Sequence, residues 1–360
     1  MIKIKSPLSL KKLPFNINYN ILKNNRLGFF SFLFAFTIMF LFINITLARN
    51  AAIRNIKTQL SQAIQNLNEI GLDISYENLE FNNIFIYPIL EAHNFQIYNL
   101  QGNALWNVRF PELTAHSSLF NTQKLEINFS NYAELRYNAQ NYPTTFENTN
   151  VQLKLNKKNH LETLKTDLEN INIKNFAKIQ NLIWHLNKIE TTVKAPVMLP
   201  TAESSLEINN IALNGLLNYP LTSQIRRIFI KANVIGKIDA DNSLLLSAEN
   251  WLQSGGFIEI PSFLISWDPL LMVGRGAVTF NEKFSPQIQL HTSSKALQEL
   301  LNDLLKIDFI EKKGAFVANI LLGAKSFKLK KEDKHLTVST PITYSDGKLA
   351  IENVTIKTIQ

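Results

Sequence analysis

The residue types that most often carry catalysis or bind metals are few and scattered in this 360-residue chain. No histidine has a second histidine or a carboxylate at the spacing that places two ligands on one face of a predicted helix. The six are His93, His116, His160, His185, His291 and His335. Cysteine is absent, which excludes thiol catalysis, thiolate metal sites and disulfides. Because G-x-S-x-G and P-loop motifs are absent too, we predict no enzyme activity, catalytic residue, metal or cofactor.

Two weaker patterns have simpler structural explanations. The sequence Gly274-Arg275-Gly276 resembles the start of a dinucleotide-binding fingerprint, but no helix is predicted to follow it. We expect a turn or bulge at the start of a strand there. Asp239 and Asp241 precede a predicted helix, where carboxylates cap unpaired N–H groups and suit the helix dipole.

Basic residues are concentrated at the N-terminus. Of 37 lysines and arginines, six lie within residues 1–26, which contain no acidic residue. The other 334 residues therefore carry 31 basic and 29 acidic side chains. A nearly neutral body lacks the concentrated basic face that nucleic-acid binding requires, so we predict no nucleic-acid partner.

Residues 27–48 contain no charged side chain and are mostly apolar. At 1.5 Å per residue, a helix of this length spans about 33 Å, enough to cross a bilayer core of about 30 Å. A cleaved signal peptide usually has a shorter apolar core, so we favour a retained anchor. The basic excess before this segment predicts a cytoplasmic tail, residues 1–26, and places residues 49–360 on the other side of the membrane.

Apolar residues recur at alternating spacings of three and four just after the predicted anchor, ending at Gly71. They are Ile53, Ile56, Leu60, Ala63, Leu67 and Ile70. This spacing predicts an amphipathic stalk helix over residues 49–71. Packing against the following sheet is the favoured role, because a coiled-coil dimer requires more heptads.

Beyond Gly71 the hydrophobic period changes to two, which predicts strands with one apolar face. The clearest runs are residues 125–129, 151–155, 206–208, 228–234, 263–267, 288–290, 316–320, 327–329, 336–338, 342–344 and 349–351. Turn residues such as Asn141-Tyr142-Pro143, Gly255-Gly256 and Asp346-Gly347 separate several of these runs. Helices are predicted at 243–252 and 295–306, while 176–189 fits both patterns and is assigned to a strand.

The predicted fold is mainly β. After the anchor and stalk, residues 72–360 are expected to form a long curved antiparallel sheet, shaped as a groove or open barrel with two short packing helices. Pro196 to Thr201 is the best candidate for an internal boundary.

Phenylalanines lie on the predicted apolar faces. Core packing explains them most simply, but so many strands leave apolar area that two or three helices cannot cover. Curvature of the sheet, a protein partner or a bound acyl chain is then needed to cover this apolar area. The candidate residues are Phe129, Phe263, Ile265, Phe280 and Phe316.

The segment 251–290 carries a recognisable pattern: Trp251, Gly255-Gly256, Trp267, Pro269, Gly274 and Gly276, followed by an amphipathic leucine helix. It resembles the alphaproteobacterial domain-of-unknown-function family twenty-one twenty-five, although Asp268 stands where glycine is expected. The resemblance implies a membrane anchor, a strand-rich periplasmic body and no established activity. A more distant similarity is to AsmA-like envelope proteins, whose long curved sheets hold lipids. From the residues alone, both tryptophans are interpreted as packing anchors.

Two functions follow as expectations. The first is a single-pass inner-membrane protein whose periplasmic body binds or transfers a lipid or another apolar envelope component. The second is an anchored scaffold that recruits a protein partner through a sheet edge or the stalk helix.

Overall fold

The structure is a computed structural model that describes residues 72–358 apart from short gaps, together with Met39 and eight positions between 53 and 68. The gaps are 85–86, 100–105, 119–120, 138–139, 157–160, 190–198, 215–220, 239–243, 282–284, 307 and 328–333. The chain divides into two compact units, residues 1–51 and 52–360. No helix among the described residues is both long and apolar enough to cross a membrane. The predicted anchor, residues 27–48, lies outside the described residues except for Met39, and the eight described positions between 53 and 68 are helical.

Eighteen strands form one antiparallel sheet in the second unit, which confirms the predicted mainly-β class. Its strands are β1 (Leu72–Ser75), β2 (Asn78–Ile84), β3 (Tyr87–Asn99), β4 (Trp106–Ser118), β5 (Asn121–Phe129), β6 (Tyr132–Tyr137), β7 (Gln140–Thr145), β8 (Asn148–Leu155), β9 (Leu161–Ile173), β10 (Ala177–Lys188), β11 (Pro200–Leu213), β12 (Gln224–Ile235), β13 (Phe257–Trp267), β14 (Leu270–Phe280), β15 (Pro286–Lys295), β16 (Thr337–Ser345), β17 (Lys348–Ile351) and β18 (Val354–Thr358).

From β9 to β18 the sheet is a meander in which each strand pairs with the one before it. The N-terminal part is built differently, because pairs of short strands share one side of a long strand. Strands β1 and β2 both pair with β3, β5 and β6 both pair with β4, and β7 and β8 both pair with β9. Because β10 and β11 pair along their length, the sheet is continuous across the boundary expected near 196–201.

Three asparagines in mid-strand have a left-handed backbone: Asn94 in β3, Asn170 in β9 and Asn210 in β11, with φ of 50°, 50° and 51°. We call them the asparagine row. Each donates its side-chain amide across to a neighbouring segment, to Glu77, Glu147 and Gln180 respectively, at 2.5 Å. Asparagine tolerates this conformation better than other residues with a Cβ, because its amide bonds locally.

The asparagine row changes which side of the strand is apolar. In β3, Leu90 and Ala92 are two residues apart, yet the next buried side chain, Phe95, follows after three, and Ala92 and Phe95 share one core cluster. Irregular residues inserted in strands act in this way, because they interrupt the strict alternation of side chains. In β10, opposite Asn170 and Asn210, the apolar spacing also changes from two to three. This explains why 176–189 fits two patterns, and its assignment to a strand is confirmed.

Three helices follow the first half of the sheet: α1 (Leu244–Gln253), α2 (Leu297–Lys306) and α3 (Lys312–Lys325). The first two match the predicted helices to within a few residues. The main core lies where α2 and α3 pack together and α3 packs on β16 and β18. Its most deeply buried side chains include Leu301, Leu322 and Ile356, each exposed by 2% or less.

The prediction of a strand at 316–320 was wrong, because these residues belong to a third helix among the described residues after Gly71. Phe316, Ala318 and Ile320 belong to α3. Their alternation is accidental, because the helix is apolar on every side: Ala315, Ala318 and Leu322 are buried on one face, while Phe316 and Ile320 are exposed on the other.

Smaller local expectations also differ from the structure. Phe327 makes a single isolated bridge to Thr337 rather than opening a strand, and Leu329 lies outside the described residues. Pro143, expected in a turn, lies in β7 opposite Glu134. Gly274 and Gly276 lie inside β14 rather than at its start, although the facing strand β13 does carry a bulge there.

Candidate functional site

An unbroken row of mostly apolar side chains crosses the middle of the sheet. Residues directly opposite each other on neighbouring strands point to the same side, so the pairing register defines this row without ambiguity. From β5 to β13 it runs Ile127, Val151, Thr166, Trp184, Leu206, Ile230 and Phe263. A parallel row from β5 to β12 runs Leu125, Leu153, Leu164, Leu186, Ser204 and Ala232. We call this surface the apolar face.

Helices cover only one end of the apolar face. Phe263, at the β13 end, is 7% exposed because it belongs to the core formed with α2 and α3. Nearer the middle, Leu164, Leu186 and Leu206 are only half-buried. Among the described residues, none of the helices packs extensively on β8, β9, β10 or β11. The structure therefore leaves several adjacent strands with an apolar side that nothing described covers.

Trp184 is the largest side chain on the uncovered part of the apolar face. It is 38% exposed, and its indole Nε1 donates a hydrogen bond to Oγ of Ser204 at 2.9 Å. Satisfying the indole N–H within the sheet leaves an aromatic ring accessible beside Leu206. A ring held in this way offers apolar area without an unsatisfied donor.

Two members of the asparagine row, Asn170 and Asn210, line an open cleft of about 630 Å³. Its lining includes Glu147, Asn170, Gln180 and Asn210 together with Lys178. The amide nitrogens of Asn170 and Asn210 are already engaged with Glu147 and Gln180. This cleft has the hydrogen-bonding groups of a site for a polar ligand, but its members mainly satisfy one another.

One group of three possible metal ligands is found among the described residues: Glu80, Glu91 and His93, whose ligand atoms lie within 4.8 Å of one another. Sequence reasoning missed it because Glu80 comes from β2 and the other two from β3, and only strand pairing brings them together. The two carboxylates already accept hydrogen bonds, from Asn78 at 2.6 Å and Asn82 at 2.5 Å. The absence of a metal site stays a prediction.

Two carboxylates have a pKa shifted by their neighbours. Hydrogen bonds from Lys124 and His116 lower the pKa of Glu126 on β5. For Glu352, burial alone would raise the pKa, but hydrogen bonds from Lys325 and Thr340 outweigh it and lower the pKa. Both groups of bonds connect separate elements, because His116 lies on β4 and Glu126 on β5, while Lys325 ends α3 and Glu352 lies between β17 and β18.

The first tryptophan of the sequence motif lies in a packed junction. Trp251 is 8% exposed, and its Nε1 donates to the Ile235 carbonyl oxygen at 2.7 Å. Its ring lies so close to Gly256 that a Cβ there would fall within 3.0 Å of it, and Gly236 has little more space. Gly255, with φ of 80°, turns the chain from α1 into β13.

The rest of the motif lies around the β13–β14 hairpin. Trp267 donates its Nε1 to the Thr222 carbonyl oxygen at 2.6 Å, and Asp268 pairs with Arg226. Pro269 follows Asp268 through a cis peptide bond. At Gly274 and Gly276, a Cβ would fall within 3.0 Å of backbone oxygens of β15. None of these residues lies with a histidine or carboxylate cluster among the described residues.

The five candidate residues of the apolar surface do not lie together. Phe129 stacks on Phe110 at 4.5 Å near the N-terminal core, while Phe263 and Ile265 belong to or pack on the core beneath the helices. Phe280 lies 6.3 Å from Trp251, between ring centroids, and Phe316 projects from α3 with 67% exposure. Sequence reasoning thus missed Trp184, Leu186 and Leu206 as the centre of the uncovered surface, although their alternation was visible.

Comparison with known proteins identifies one family. A family model described as "Uncharacterized protein conserved in bacteria (DUF2125)" matches residues 51–356, which confirms the resemblance seen at 251–290. No curated protein and no solved structure matches the chain.

Proposed function

The chain belongs to the DUF2125 family, and we propose that it binds the hydrocarbon chain of a lipid along the apolar face. The observation that carries this proposal is the row from Ile127 to Ile230, which crosses six strands and whose middle residues, Thr166, Trp184 and Leu206, are only half-buried or exposed. Exposed apolar surface on this scale is uncommon on proteins that work alone in water, and it usually marks a binding surface.

The shape of the row suits an extended acyl chain better than a compact ligand. Neighbouring strands lie about 4.8 Å apart, so six strands give a track of roughly 24 Å across the sheet. Each buried CH₂ of a ligand contributes about 0.8 kcal/mol, so partial burial along this track retains a lipid. The side chains are nonpolar or neutral, and Trp184 offers its ring rather than its N–H group.

Membrane attachment is part of the same proposal. The uncharged segment 27–48 would anchor the chain, and the basic residues before it would keep the N-terminus in the cytoplasm and the sheet in the periplasm. A periplasm-specific reporter enzyme fused after Gln360 should then be active. Activity of a cytoplasm-specific reporter at the same position would reverse this topology.

Quenching of Trp184 by brominated acyl chains tests the binding proposal. The full-length chain, kept in mild detergent, is titrated with phosphatidylcholine carrying brominated or unmodified chains, and tryptophan fluorescence is recorded. Because the chain has four tryptophans, Trp184→Phe provides the matched background. We expect quenching by brominated lipid that is largely lost in the variant.

Equal quenching in both proteins, or none in either, would contradict binding on the apolar face. If the chain is folded and shows no quenching, the result favours the scaffold function, in which a protein partner covers the sheet.

A further inference from the structure

Helix α3 presents a second apolar surface, separate from the apolar face. Phe316, Val317 and Ile320 lie on the side that faces away from the core and are 67%, 44% and 56% exposed. Phe316 and Ile320 fall at positions i and i+4 and are neighbours on the helix surface, and Val317 lies beside them, about 100° around the axis from Phe316. Together they form the outer stripe of α3. Ala324 extends the stripe by another turn and is exposed as well.

This exposure is not a result of loose packing. On its other side the same helix buries Ala315, Ala318 and Leu322 completely, and Gly314 lies directly against the Thr355 backbone of β18. A helix that is apolar on all sides is normally buried on all sides. The outer stripe of α3 therefore lacks the cover that such a helix requires.

The charges of α3 are all of one sign. Its fourteen residues include Lys312, Lys313 and Lys325 and no acidic residue, while the exposed Glu311 stands at its N-cap and accepts a hydrogen bond from Thr358. Acidic groups outside the helix pair with two of them, Asp308 with Lys312 at 3.8 Å and Glu352 with Lys325 at 2.6 Å. Lys313 is exposed beside the stripe. Nearby, Nζ of Lys357 lies 5.0 Å from the ring centroid of Phe309, which is itself 51% exposed.

We propose that the outer stripe of α3 docks on the surface of a bilayer that contains anionic phospholipid. Exposed aromatic and aliphatic side chains between lysines are the combination with which surface helices enter the boundary between headgroups and acyl chains. The lysines meet the anionic headgroups, and long lysine side chains reach them while their methylenes stay near the apolar side chains. A second copy of this chain would place like charges of the two helices together, so the charge pattern favours a bilayer.

Vesicle binding by the full-length chain tests this docking. The chain is held in nanodiscs of zwitterionic phosphatidylcholine, and binding to separate vesicles of 30% phosphatidylglycerol and 70% phosphatidylcholine is measured by flotation. Because the natural chain has no cysteine, Ala324→Cys gives a single site for an environment-sensitive dye. Asn187→Cys, at an exposed position on β10, provides the matched dye control.

We expect vesicle binding, with a blue shift of the dye at position 324 but not at 187. Phe316→Glu combined with Ile320→Glu should weaken binding by at least about tenfold. Lys312→Gln combined with Lys313→Gln should weaken it by about fivefold for each lysine, and by less at high salt. Phe176→Glu, at an exposed phenylalanine outside α3, should leave binding unchanged.

Failure of the double glutamate variant to weaken binding, or absence of binding by the natural chain, would overturn the proposal. Sedimentation could also show that the natural chain is a dimer and that the double glutamate variant is a monomer. That result would overturn the proposal and assign the stripe to contact with a second copy. The outer stripe of α3 shares no residue with the apolar face, so loss of vesicle docking and loss of acyl-chain binding are separate results.

Discussion

Two glycines of α3 should respond in opposite directions to the same substitution. At Gly314, an added Cβ would fall within 3.0 Å of the Thr355 carbonyl oxygen, a separation that real Cβ atoms essentially never show. At Gly323, the nearest atom is Nε2 of Gln298 at 3.2 Å, the end of a side chain that donates to the Asn319 carbonyl oxygen and needs to shift only slightly. Gly314→Ala therefore tests whether α3 packs directly on β18, and Gly323→Ala is its matched control.

The expected magnitudes follow from two opposing effects. Alanine is favoured over glycine inside a helix by about 1 kcal/mol at either position. At Gly314 the helix and β18 must separate by roughly 1 Å, and overpacking of this kind costs about 1–3 kcal/mol. Since backbone faces backbone there, the upper end applies, and the net loss is about 2 kcal/mol. Gly323→Ala should be neutral or stabilising by up to about 1 kcal/mol.

The assay is thermal and denaturant unfolding of the full-length chain in detergent, followed by tryptophan fluorescence. For a body of this size, 1 kcal/mol corresponds to a change in Tm of about 2–4 °C. Gly314→Ala should lower Tm by about 4–8 °C, and Gly323→Ala should not lower it. Equal or higher stability of Gly314→Ala would refute the close packing of α3 on β18.

Three further outcomes are expected. Asn210→Ala should lower the free energy of unfolding by about 1–2 kcal/mol, because alanine disfavours a φ of 51°. Asn210→Gly should lower it clearly less, and equal losses would contradict the role of backbone strain. Glu352 has a pKa below its ordinary 4.5, so its bonds to Lys325 and Thr340 stabilise the fold above about pH 4.5 and are lost as pH falls through the lowered pKa. The stability difference from Glu352→Gln should therefore shrink as pH falls below about 4.5, and a constant difference would contradict this. Zn²⁺ or Mn²⁺ should leave Tm unchanged, and a rise that His93→Ala removes would establish a metal site.

Most strands could be predicted because their environment is simple. With one side apolar and the other polar, alternation such as Leu182, Trp184 and Leu186 directly reports the strand. Helix α2 was equally clear, since its leucines recur at helical spacing and Leu297 and Leu301 are buried.

The errors have specific physical causes. Helix α3 was predicted as a strand at 316–320 because it is apolar on its outer side too, and this hides the helical period. The asparagine row could not be seen, because a left-handed φ at Asn94 or Asn170 leaves no signature in composition. The Glu80–Glu91–His93 cluster depends on strand register, which the sequence does not specify locally. The uncovered centre of the apolar face could not be predicted either, because it depends on where the helices pack and not on the sequence of any one strand.

Photocrosslinking on β11 tests most directly whether the apolar face holds an acyl chain. A benzophenone amino acid replaces Leu206, on the apolar face, or its neighbour Glu207, which points to the opposite side of the same strand. Cells that express either full-length variant are labelled with radioactive acetate, irradiated and analysed for protein-bound acyl chains. We expect a labelled adduct at position 206 and little at 207. Equal labelling at both positions, or none at 206 in a folded protein, would contradict it.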